Sequence, residues 1–105
     1  MKKTALLAAL IAGAFVATPA LANPEAAMNK AGCMACHTKD KKLVGPAFKD
    51  IAAKYKGQAD APAKLAEKVR KGGSGVFGPI PMAPNGPDKI SDADLKAAID
   101  FILKS

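Results

Sequence analysis

Tryptophan is absent from the chain, and tyrosine and histidine occur once each. With so few aromatics, a basic surface has no stacking platforms for bases. The 16 Lys and Arg are also scattered rather than gathered into a stripe, which argues against nucleic acid as a partner. Cysteine occurs only twice, at Cys33 and Cys36. A disulfide between them would close too short a loop to stabilise a fold by much. With His37 they make three candidate ligands, one short of the four a structural zinc site takes. Long apolar runs are missing too. The longest, Ala5 to Ala17, falls short of the ~20 residues that cross a bilayer. No alternating strand pattern and no internal repeat is present, which leaves an all-α reading.

The first 22 residues read as an address rather than as fold. Met1-Lys2-Lys3-Thr4 is a positive head, the Ala5–Ala17 run is its apolar core, and Ala20-Leu21-Ala22 offers small residues where a signal peptidase reads. The head has no Arg pair, so the general secretory route to the periplasm is expected. Cleavage after Ala22 leaves one domain, residues 23–105, with no membrane anchor. Lys2 and Lys3 account for two units of the formal net charge of +7, so the remainder stays basic and fits an acidic protein partner. A domain this small buries only about 60–65% of its unfolded surface and is marginal on its own core. A staple or filler is expected.

Four short helices are legible. Asn23-Pro24 is a cap followed by proline at the first helical position, and Gly32 stops that helix. Pro46 is expected to start a second helix, with Phe48, Ile51, Ala52 and Tyr55 on one face and Gly57 at its end. Asp60-Ala61-Pro62 opens a third, with Leu65, Ala66 and Val69 inward and Gly72-Gly73 closing it. Ser91 to Asp94 resembles a capping box and starts the last, whose inner face is Leu95, Ala98, Ile99, Ile102 and Leu103. Between Gly72 and Ile90 runs a Gly/Pro-rich segment that also holds Val76, Phe77, Ile80 and Met82. Apolar residues in so long and stiff a loop point to packing on something.

The chemistry lies in Cys33-Met34-Ala35-Cys36-His37, the C-x-x-C-H attachment signature for haem c. Two thiols at this spacing reach the two vinyl groups along one ring edge, and the next residue places an imidazole on the iron. A thioredoxin-like couple would need a βαβ context that this chain lacks. For the second axial position no further histidine exists, which leaves methionine, lysine or an open site. Met34 lies inside the attachment loop, and Met28 reads as a core filler. Met82, between Pro81 and Pro84, is the expected second iron ligand beside His37. An iron closed by His37 and Met82 has no free position for substrate, so electron transfer rather than catalysis is expected. A haem peroxidase or gas binder would need that position open, and a thiol exchanger or metal carrier would contain no haem at all.

These residues, with Val44-Gly45-Pro46-Ala47, the run Gly72 to Met82 and the closing helix, are similar to the small bacterial class I cytochromes c of the c-551/c-552 type. The resemblance spans essentially all of residues 23–105. It implies an all-α fold of about four short helices wrapped around one covalently bound haem, and a periplasmic shuttle of single electrons between respiratory partners. It also implies that the Pro46 carbonyl accepts from the other ring nitrogen of His37, and that Asn85 donates to the Met82 sulfur. Phe77 stands where many relatives carry a tryptophan that bonds a haem propionate, which leaves Lys68 or Arg70 as substitutes. Lys39, Lys41 and Lys42, with Lys30 and Lys71, are candidates to steer an acidic redox partner toward the haem edge. A monomer is expected.

Overall fold

The computed structural model describes residues 23–105, and the expected signal peptide of residues 1–22 lies outside the described residues. Four helices follow in order: α1 Pro24–Ala31, α2 Phe48–Tyr55, α3 Ala61–Lys71 and α4 Asp92–Leu103, with a 3-10 turn at Cys33–Ala35. Among the described residues the only extended pairings are two isolated bridges, His37 with Lys42 and Gly73 with Met82.

The helix ends follow from local chemistry. Asn23 Oδ1 accepts from the backbone N–H of Glu25 at 3.1 Å and of Ala26 at 3.3 Å, satisfying two of the orphan donors of α1. Gly32 leaves α1 at φ 86°, a left-handed position where glycine carries no Cβ penalty, and returns its N–H to Asn29. Ser91 Oγ accepts from Asp94 N at 3.2 Å at the start of α4. α2 differs from expectation. It begins at Phe48, two residues beyond Pro46, because Ala47 stays extended at ψ 146°. Thr38 O accepts the Phe48 N–H and Lys39 O the Lys49 N–H, so the first turn of α2 is docked on the segment before it.

α4 is the hub and packs on α1, α2 and α3. The shared core is Met28, Phe48, Ile51, Leu65, Ile90, Leu95, Ala98 and Ile99. Burying each large aliphatic side chain there contributes about 1.5–3 kcal/mol. The predicted inner faces of α2, α3 and α4 all turn inward, and Met28 fills the core as expected. The helices thereby frame two long connections, residues 36–47 and 72–90, which meet over a cavity.

Candidate functional site

The first wall of the cavity is built around His37. Cys36 O accepts from Gly45 N at 2.7 Å, which folds residues 38–46 back over the imidazole. Thr38 Oγ1 donates to Lys41 O at 2.6 Å and accepts from Lys41 N at 2.9 Å, setting the turn between. Pro46 O then lies 2.8 Å from His37 Nδ1. A carbonyl only accepts, so Nδ1 carries a proton, and in the neutral ring the free lone pair is on Nε2. The Phe48 ring stacks on the imidazole with centroids 5.5 Å apart and planes 23° apart, and Phe101 meets Phe48 edge-on at 6.3 Å. On the Gly45 side, a Cβ would fall 2.5 Å from His37 Cε1. Glycine is needed there because its backbone lies against the ring.

Before any thioether forms, Cys33 and Cys36 are unpaired thiols, both half-buried. Burial pushes the Cys33 thiol above the ordinary cysteine range. Nearby Cys36 adds to this, and a backbone hydrogen bond partly opposes it. Cys33 opens the 3-10 turn and Cys36 caps its end, a turn not legible in the sequence, and left-handed Gly32 leads the chain from α1 directly into it.

The second wall is the 72–90 connection. Gly73 and Met82 exchange backbone hydrogen bonds at 2.9 and 3.0 Å, so the run between them closes as a loop. Gly72 is buried at φ 67°, ψ −151°, a conformation open essentially to glycine, and a Cβ there would collide with the Met82 carbonyl. Met82 is half-buried. The Asn85 side-chain amide donates to Ala83 O at 3.0 Å and, at 3.5 Å, to Val69 O, and its backbone N–H also goes to Val69 O. Both amide protons are therefore aimed at carbonyls. Arg70 is likewise engaged elsewhere, on Asn85 O, Ile90 O and Asp92, whereas Lys68 lines the cavity. Phe77 stays 39% exposed, with Lys54 Nζ 5.6 Å from its ring centre.

Cys33, Cys36, His37 and Met82 all line one cavity of about 430 Å³. Val44, Val76, Phe77 and Ile80 line it as well and are exposed, which gives the cavity an apolar rim. Among the described residues, no group of three or more His, Cys, Asp or Glu is placed to hold a metal ion by itself. The donor set is instead two thiols, one imidazole with a free Nε2 and one thioether, in an apolar slot. That set fits a macrocycle fastened through sulfur and ligated along its axis.

The cytochrome c family model matches residues 16–105. The chain belongs to the cytochrome c family. Over 104 residues it is 46% identical to cytochrome c-551 of Pseudomonas aeruginosa, covering 98% of this chain and 97% of that one. Over 84 residues it is 56% identical to cytochrome c2 of Rubrivivax gelatinosus, covering 80% of this chain and 99% of that one. The crystal structure of wild-type Nitrosomonas europaea cytochrome c552 superposes with a TM-score of 0.71 at 51% identity, covering 76% of this chain and 96% of that one. The molecule is a small class I cytochrome c of the c-551/c-552 type, all-α, with one covalently bound haem c. It is an electron-transfer haem protein.

Proposed function

We propose that this cytochrome c is a periplasmic carrier of single electrons, exported by the general secretory route and cleaved after Ala22. In this reading Cys33 and Cys36 form the thioethers, and His37 and Met82 are the axial ligands. The observation that carries it is that the chain's only histidine and a methionine fixed between prolines line the same apolar cavity as both thiols.

The bound haem supplies a one-electron couple at its iron, and the polypeptide decides what else that iron can do. Pro46 O fixes the His37 tautomer and ring orientation and increases its basicity as a ligand. The Met82 thioether is a soft, weak donor that favours ferrous iron and raises the potential. With His37 and Met82 both holding the iron, no site would be left for substrate, which would make the protein a carrier rather than an enzyme. Asn85 acts on this ligand by holding the Met82 segment against α3 through Val69. Lys68, on the cavity wall, is placed to meet a propionate in place of the bond that Phe77 cannot donate.

Partners are read from the surface. Lys39, Lys41 and Lys42 are exposed beside the attachment turn, and Lys30 stands exposed on α1. Lys71 is tied to Glu67 at 2.6 Å and is less free to steer. We assign the first four to an acidic redox partner met transiently by a monomer. The rate of electron exchange with that partner should fall as salt rises, because exposed charges are screened within about 8–10 Å at physiological ionic strength. A rate indifferent to salt would remove the lysines from the account.

The reading is tested by the visible and near-infrared spectra of periplasmic wild type beside Met82→Ala, oxidised and reduced. Wild type should be low-spin with a sulfur-to-iron charge-transfer band. The variant should lose the band, bind added imidazole and show a lower potential. A wild type without the band, or a variant indistinguishable from it, would reassign the second ligand. The mass of the purified protein should correspond to Asn23–Ser105 plus one haem.

A further inference from the structure

The Met82 segment is attached to the end of α3 by a short set of bonds: the Gly73–Met82 exchange, Asn85 on Val69, and Arg70. Arg70 differs from the others in reaching three places at once. Its Nη1 donates to Asn85 O at 3.2 Å and to Ile90 O at 2.7 Å, and its Nη2 donates to Asp92 Oδ1 at 2.6 Å. Asn85 ends the Met82 segment, Ile90 is the core residue before α4, and Asp92 is the first residue of α4. One planar fork therefore joins the last turn of α3, the end of the loop and the start of the hub helix.

We propose that Arg70 is the positioning residue for the Met82 segment, holding it in register between α3 and α4 so that the guanidinium sets how readily the Met82 thioether leaves the iron. This rests on the reading of Met82 as a ligand. Its neighbours do not share the task, since Lys71 is paired with Glu67 along α3 and Lys68 lines the cavity. The two carbonyl contacts carry the effect. Arg70 is only 21% exposed, whereas the Asp92 side chain is 93% exposed and its ion pair is screened by water. A lysine keeps the charge but is a point donor on a flexible stem and cannot span the same acceptors. Displacing a thioether requires a local opening of its loop, and such openings are governed by the bonds that tie the loop down.

The test uses the ferric holoprotein as wild type, Arg70→Lys, Arg70→Gln, Asp92→Asn and Ala98→Gly, the last lowering global stability from the core of α4. Two quantities are read: the rate of imidazole binding to the iron, and the urea midpoint of the sulfur-to-iron band against that of helical circular dichroism. Both Arg70 variants should bind imidazole about tenfold faster, the scale set by lost hydrogen bonds from a charged donor. Their band should disappear at lower urea than their helices. Asp92→Asn should stay within about twofold of wild type, as an exposed ion pair implies. Arg70→Lys matching wild type, or a rise no larger than that of Ala98→Gly, would overturn the proposal. A wild type with no such band would overturn it together with the Met82 reading, and so is told apart from failure of the Arg70 step alone.

Discussion

The two connections that meet over the cavity are held in different ways. The one carrying His37 is fixed on every side of the ring: Pro46 O on Nδ1, the stacked Phe48 ring, and the Gly45 backbone. Phe48 is 1% exposed and belongs to the core, so the imidazole is braced by the same packing that stabilises the domain. The segment carrying Met82 leans on backbone bonds to α3 and on Arg70, and residues 73–85 contribute nothing to the shared core. One proposed ligand is thus built into the core, and the other is tethered to it. Removing the core support of the first should unfold the protein, whereas loosening the tether of the second should change the spectrum while the helices persist.

Three substitutions break or sharpen that contrast. Phe48→Ala is expected to have the largest effect, because it empties the core and removes the stacking partner of His37 together. The loss should be about 3–5 kcal/mol in urea unfolding of the holoprotein, with helices and haem spectrum lost in one transition. Gly72→Ala comes next. Any Cβ there meets the Met82 carbonyl and forces a non-glycine residue into its φ 67°, ψ −151° backbone. That conformation costs about 1–3 kcal/mol, and the expected outcome is loss of the sulfur-to-iron band with far-ultraviolet circular dichroism retained. Gly45→Ala is the smallest in local strain, since its backbone is not left-handed and the clash is steric only. Overpacking costs about 1–3 kcal/mol. Because His37 cannot move away, the change should appear as a shifted potential with the band intact. If Gly45→Ala erased the band while Gly72→Ala kept it, the assignment of one wall to each ligand would be reversed.

Much of this was legible in advance because it is written in local code. Asn23, Pro24, Gly32 and Ser91 mark helix ends by chemistry that acts within a turn, and Leu95, Ala98 and Ile99 mark a face by spacing alone. The attachment motif is equally local. What the sequence concealed depends on contacts far along the chain. Pro46 reads as a helix start, yet α2 waits until Phe48, because Ala47 remains extended and Thr38 and Lys39 take the first N–H groups of the helix. Asn85 and Arg70 carry no periodic signal that ties them to Val69, Ile90 or Asp92. Their partners are set by where α3 ends against α4, a tertiary fact. Arg70 on a helix face reads like any solvated cation until its acceptors are seen. The turn at Cys33–Ala35 was hidden for a different reason: three residues are too few to leave a periodicity.

The central claim is that the polypeptide fills both axial positions of the iron. The most direct measurement is the spectrum of the reduced, native protein at neutral pH before and after equilibration with carbon monoxide. The account predicts no change in wild type and ready uptake by Met82→Ala. Free uptake of carbon monoxide by the native wild-type protein would contradict it.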